Sequence, residues 1–218
     1  MKPIFVLSVV IVQVFATSRG DTSLSAVKGA FDAANIPSNA SLTFNPSVLL
    51  EVTFPETNSP VIHLHAGIQL PRNKTAGPPT FGIHPHGSLE IPTGRFVVAM
   101  VDLDAPTPQN PTSAQIRHFL GGDFSLGPVG LDGIAPLTNS TPALSHFLQP
   151  TPPAGSDPHR YVFLLFHQPA TFDQQNFLNS STPISLFNIS LFADEVGLGH
   201  PLGGTFMRVG PDPSASDV

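Results

Sequence analysis

The sequence predicts a mainly β protein, and three observations carry that prediction. Twenty-five prolines and 18 glycines are scattered through 218 residues rather than pooled, the mark of many short strands joined by stiff turns. Two runs, Phe96-Val-Val-Ala-Met-Val101 and Tyr161-Val-Phe-Leu-Leu-Phe166, are apolar at every position. Strands of that kind belong in the middle of a sheet covered on both faces. Helical spacing of apolar residues appears in only two stretches past the N-terminal segment.

Taken in order, Met1–Gly20 reads as a secretory signal peptide. Lys2 supplies the positive start, Ile4–Phe15 the apolar stretch, and Ala16, Ser18 and Gly20 the small residues of a cleavage site after Gly20 or Ser18. The apolar stretch is shorter than the roughly 20 residues of a membrane-spanning helix. Residues 21–209 are expected to form one domain. Ser23–Asn35 is the first helix: Leu24, Val27, Phe31 and Ala34 share a face, Thr22 or Ser23 caps the start, and Pro37 bars continuation. Strands are expected at Val48–Phe54, Val61–Gln69, Phe96–Val101 and Tyr161–His167. The second helix is Phe187–Val196, with Ile189, Phe192 and Val196 on one stripe and Gly197 as its stop. Residues 210–218 are polar and proline-bearing, and are expected to be a disordered tail.

Cysteine is absent, so the domain must stand on packing alone even where disulfides are permitted. Without Lys2 and Arg19, seven basic residues remain against fifteen acidic ones, a net charge of −8. That charge, with no basic run, argues against nucleic acid and anionic membrane surfaces as partners. Five Asn-x-Ser/Thr sequons, at Asn39, Asn73, Asn139, Asn179 and Asn188, fit glycosylated export, and secretion to the extracellular space is the expected localisation.

The most informative residues follow the first apolar run. Asp102-Leu-Asp104-Ala-Pro106 leaves the end of that strand, Pro111 and His118 follow, and His159-Arg160-Tyr161 opens the second apolar run. A neutral imidazole offers one hydrogen-bond donor, a protonated one two donors and a charge. Two converging histidines can therefore hold a phosphate or carboxylate, more tightly as pH falls toward about 6.5. Tyr161, the only tyrosine, can donate another bond. Asp102 would repel an anion directly, so its role is to orient a histidine. Arg160 falls on the opposite strand face from its two neighbours, where an internal ion pair with Asp104 is expected.

Other chemistries find less support. His63-Leu-His65 and His84-Pro-His86 with Glu90 offer ligand types for a transition metal, but no second box of ligands follows. Asp102-x-Asp104 is no calcium loop, because Thr107 and Ser113 stand where glycine and glutamate are required. Neither a Gly-x-Ser-x-Gly elbow nor a phosphate-cradling Gly-x-x-x-x-Gly-Lys loop is present. The chain is expected to be no enzyme, and to need no metal and no cofactor.

With these residues in view, the chain resembles the phosphatidylethanolamine-binding protein family, also called Raf kinase inhibitor proteins. One signature is Asp102, Asp104, Pro106, Pro111 and His118-Phe119-Leu120. A second is Pro152-Pro-Ala-Gly155 with His159-Arg160-Tyr161, and a weaker third runs from Phe187-Asn-Ile-Ser to Gly203-Gly-Thr-Phe206. The resemblance implies antiparallel Greek-key β-sheets with a few short peripheral helices. It also implies a small cavity for phosphate, phospholipid headgroups or carboxylates, lined by Asp102, His118, His159 and Tyr161 with Pro106 and Pro153 as walls. Asp104 and Arg160 would support that site. Since some members restrain serine carboxypeptidases, inhibition of a peptidase through the surface is the alternative function. Thr107-Pro108 stands where many members have Ser-Arg, and Ile116 where an aromatic residue often forms the mouth.

Overall fold

The computed structural model describes residues 20–57, 59–84, 92–179 and 181–212. Its frame is made of β1 (Leu49–Phe54), β2 (Ile62–His63), β3 (Ile68–Leu70), β4 (Thr80–His84), β5 (Phe96–Asp102), β6 (Ile116–Leu126), β7 (Ala135–Thr138), β8 (His159–His167) and β9 (Gly203–Val209). Helices α1 (Leu24–Ala33), α2 (Ile36–Asn39) and α3 (Ile189–Val196) complete it. The fold is mainly β. The strands form one curled sheet in the order β2-β1-β4-β7-β6-β5-β8-β9-β3.

The two apolar runs become the centre of this sheet, and both of their faces are buried. Val97, Ala99 and Val101 of β5, with Val162, Leu164 and Phe166 of β8, pack beneath Val27 and Phe31 of α1 and Ile189 and Phe192 of α3. The alternate residues, Phe96, Val98 and Met100 with Tyr161, Phe163 and Leu165, meet Leu50, Val52, Phe54 and Ile83 of the curled-over strands. Phe163 touches both Phe54 and Phe81, with ring centroids 6.5 and 6.3 Å apart, which ties the two halves of the sheet. β6 makes the curl possible. Its first part pairs with β5 and its last residues, Ser125 and Leu126, pair with β7, with register shifts between.

Several expectations need correction. The sheet is not antiparallel throughout, because β3 runs parallel to β9, with Ile68 opposite Met207 and Leu70 opposite Val209. The stretch expected as one strand over Val61–Gln69 is two short ones. Leu64 still bonds to Val52, but Gly67 (φ 92°) turns the chain away and donates to Phe206 O, so β3 joins the far edge of the sheet. β4, β6, β7 and β9 are additional. α1 begins as read, with Ser23 Oγ accepting from Ala26 N at 3.3 Å. Pro37 does not end the helical region but starts it again: Asn35 turns left-handed (φ 53°), and Pro37 sits in the first turn of α2. In α3, Asn188 Oδ1 caps Leu191 N at 2.9 Å, and Gly197 closes the helix at φ 74°.

The segment Met1–Arg19 and residues 213–218 of the expected tail lie outside the described residues, as do His86 and Glu90. Gly210–Asp212 are described, and Asp212 forms an ion pair with Arg72. No helix among the described residues is long and apolar enough to cross a membrane.

Candidate functional site

Pairing in the sheet brings the site together. Asp102, the last residue of β5, lies opposite Ile116 of β6 on one side and Tyr161 of β8 on the other. Side chains two apart on a strand share a face. His118 therefore joins Ile116, and His159 joins Tyr161, around the Asp102 carboxylate. All six residues expected to bind ligand (Asp102, Pro106, His118, Pro153, His159 and Tyr161) line one hollow of ≈ 460 Å³. The His118 and Tyr161 rings meet edge to face with centroids 5.0 Å apart, and His159 lies nearly parallel to Tyr161 at 6.2 Å.

The hydrogen bonds inside this hollow decide its chemistry. Asp102 Oδ1 accepts from Asp104 N at 2.8 Å, and its Oδ2 faces His159 Nδ1, also at 2.8 Å. His159 Nε2 lies 3.1 Å from Pro106 O and 2.9 Å from Ser156 Oγ. The Ser156 hydroxyl itself donates to Asp157 O at 2.8 Å. Both nitrogens of this ring, 1 % exposed, thus have internal partners. The Tyr161 hydroxyl lies against the Asp102 carboxylate and the Thr151 backbone amide. Burial first, and then the Asp102 charge, push its ionisation well above the usual phenol range, so the hydroxyl keeps its proton.

His118 differs from the other two. Its Nδ1 is 3.0 Å from Leu148 O, a group that can only accept, so Nδ1 carries the proton. The neutral ring then presents Nε2 as an acceptor, and among the described residues nothing is hydrogen-bonded to that atom. Burial lowers the His118 pKa below the usual 6.5, and the nearby His159 adds to the effect; the Leu148 carbonyl and the Asp102 charge oppose it without reversing it. Any charging of this imidazole is therefore confined to a more acidic range than the sequence suggested.

Behind the hollow, Arg160 points to the opposite face and clamps Asp104. Its Nη2 reaches Asp104 Oδ1 at 2.6 Å and its Nε reaches Oδ2 at 2.9 Å, while its backbone N–H donates to Oδ2 at 2.7 Å. A further Arg160 bond, from Nη1 to Asn39 Oδ1 at 2.9 Å, ties this pair to α2. The loop that begins at Asp102 is fixed from both sides of the sheet.

Sequence reasoning did not find Leu148, Gln149, Thr151 and Ile184, which complete the lining. Leu148 and Ile184 belong to two irregular segments laid along the outer edge of β6, bonded through Leu148 N to His118 O and Arg117 N to Ile184 O, both 2.8 Å. The sequence signals there were prolines, Pro150, Pro152 and Pro153 beside Leu148, Gln149 and Thr151, and Pro183 beside Ile184. Ile116 does stand at the pocket wall. The five sequon asparagines are all exposed. His63 bonds Glu51 on β1 at 2.5 Å, and no group of three metal-ligating side chains occurs among the described residues.

Comparison with known proteins identifies the family. The family model described as phosphatidylethanolamine-binding protein matches residues 58–207. The chain belongs to that family. Among curated members, it is 28% identical over 155 residues to the carboxypeptidase Y inhibitor of Saccharomyces cerevisiae, covering 62% of this chain and 69% of the relative. It is 30% identical over 178 residues to phomoidride biosynthesis cluster protein N of Talaromyces stipitatus, covering 75% and 85%. Among solved phosphatidylethanolamine-binding folds, the carboxypeptidase Y inhibitor complexed with its cognate proteinase superposes with a TM-score of 0.71 at 24% identity, over 88% of this chain and 98% of that one. The Plasmodium vivax member gives 0.60 at 13% identity, over 84% and 97%.

Proposed function

We propose that the protein is a non-enzymatic binding protein that takes a small anionic or phosphorylated group, a phospholipid headgroup among the candidates, into the hollow beside Asp102. The observation that carries this reading is the convergence of Asp102, His118, His159 and Tyr161 on one hollow of headgroup size, ≈ 460 Å³, with Pro106 and Pro153 as walls. His118 touches the ligand, Asp102 and His159 hold each other in place, and Arg160 with Asp104 fixes the loop. The Met1–Gly20 leader directs export, and the exposed sequons carry sugar. Calorimetric titration of O-phosphoethanolamine into the wild type and into His118→Ala tests the pocket: saturable binding weakened by the substitution is expected, and equal affinity in both would refute it. Vesicles containing phosphatidylethanolamine form a second arm that separates a membrane source from a soluble one. Mass determination of the N terminus in protein collected from culture fluid tests the leader.

A second reading, inhibition of a serine carboxypeptidase through the surface, is favoured by the likeness to the carboxypeptidase Y inhibitor. Inhibition of such an enzyme that persists in His118→Ala would support it. Absence of inhibition at micromolar protein across a panel of serine carboxypeptidases would remove it.

A further inference from the structure

The hollow contains fewer free donors than an anion site should. His159 has both ring nitrogens engaged, by Asp102 on one side and by Pro106 O and Ser156 Oγ on the other. The Tyr161 hydroxyl has the Asp102 carboxylate beside it. The remaining signature group, His118, has its proton on Nδ1, bonded to Leu148 O at 3.0 Å, and turns a lone pair on Nε2 to the hollow. The charged or titratable groups around this ring are Asp102 from β5 and His159 and Tyr161 from β8; the covering segments supply Leu148, Gln149, Thr151 and Ile184, none of them charged. A fully ionised oxyanion set against Nε2 would meet a lone pair on one side and a carboxylate on the other. A ligand oxygen that carries its own proton would meet an acceptor.

We infer that the hollow selects a phosphate monoester in its monoprotonated form, whose P–OH donates to His118 Nε2, over phosphate diesters and sulfate esters. The inference rests on the phosphorylated-ligand reading above and narrows it. A phosphomonoester has its second ionisation near 6, so it carries an acidic proton around and below that pH and loses it progressively above. The diester of an ordinary phospholipid headgroup and a sulfate monoester have the same single negative charge but no proton to give. The chemistry therefore favours a soluble or terminal phosphomonoester over the diester headgroup of a bilayer lipid. The depressed basicity of His118 acts in the same direction, because the ring leaves the shared proton on the ligand.

Three probes test this, titrated by calorimetry at pH 6, 7 and 8: O-phosphoethanolamine, its equal-sized sulfate analogue O-sulfoethanolamine, and its methyl diester, which adds one carbon and removes the P–OH. Each carries the same ammonium group, so its contribution cancels. The monoester is expected to bind about ten- to a hundredfold more tightly than the other two at pH 6, the difference made by one hydrogen bond to a charged partner and the lone-pair contact that replaces it. Its affinity is expected to fall up to about tenfold per pH unit above 6, while the sulfate ester shows no such slope. In His118→Gln the side-chain amide can offer an N–H in place of the lone pair, so the preference for the phosphate should shrink toward parity, with a thermal melt confirming the fold. Equal affinity for the monoester and the sulfate ester, or a matching pH slope for both, overturns the inference and leaves the pocket reading standing. Binding of none of the three removes the pocket reading and this inference with it.

Discussion

Replacing Arg160 with methionine tests how far the site depends on the clamp behind it. Arg160→Met keeps much of the aliphatic stem but removes the Nε and Nη2 bonds to Asp104 and the Nη1 bond to Asn39. Asp104 is 1 % exposed, so its carboxylate stays buried, holding only the Arg160 backbone N–H at 2.7 Å. Leaving one member of a buried pair uncompensated costs about 3–5 kcal/mol. For a domain of this size each kcal/mol shifts the melting temperature by roughly 2–4 °C, so a fall of about 6–20 °C is expected. Circular dichroism melts and urea denaturation of wild type, Arg160→Met and Asp104→Asn/Arg160→Met form the assay. The double variant should recover about 1–3 kcal/mol over Arg160→Met, because an amide in place of the carboxylate removes the unpaired charge while still accepting from the Arg160 N–H. A drop under 2 °C in Arg160→Met, or a double variant less stable than the single, would falsify the argument that this ion pair anchors the loop.

The depressed basicity of His118 predicts a pH effect on stability: the unfolded chain takes up the proton near pH 6.5, the folded chain only at lower pH, so the unfolded state binds more protons in between. Stability is then full above pH 6.5 and declines as pH falls, by at most about 1.4 kcal/mol per unit, and the decline should be shallower in His118→Gln when melts are compared from pH 8 to 5. Tyr161→Phe should cost about 1–3 kcal/mol by taking a polar hydroxyl from beside the buried Asp102 carboxylate, read as a lower urea midpoint at unchanged slope. Phe192→Ala empties the centre of the helix-side core, where Phe192 is fully buried, and should cost about 3–5 kcal/mol in the same assay.

Burial on both faces made β5 and β8 legible, since no polar position interrupts either run, and it was the family resemblance that singled out Asp102, His118, His159 and Tyr161, which line one hollow. The strands between were not. β6 carries Arg117, His118, Gly121, Gly122, Asp123 and Ser125 among its apolar residues, so no period of two survives in it. Those residues have separate reasons to be there. His118 faces the hollow; Gly122 lies where a Cβ would strike Phe172; and Asp123 pairs with Arg95. β9 was hidden by Gly203 and Gly204, whose places a side chain could not share with Val48 O and Phe163 O. The direction of the donors was illegible for a different reason. Which way an imidazole proton points depends on a carbonyl 30 residues away, Leu148 O for His118, and no local pattern encodes such a partner.

The curled sheet terminates at both ends in very short strands, β2 of two residues and β3 of three. Exposed ladder groups at a sheet boundary invite another chain to add to them, and short boundary strands give such an addition almost no length to grip. Along the first part of β6, where the ladder would otherwise be open, Leu148 and Ile184 already occupy the bonding positions. Only 11% of the residues are charged, so the net negative charge that repels one copy from another is thinly spread over the surface. Backbone geometry thus adds to charge repulsion in opposing edge-to-edge addition, so a deletion in either covering segment is expected to raise fibrillation, followed by dye binding, before any loss of the central strands.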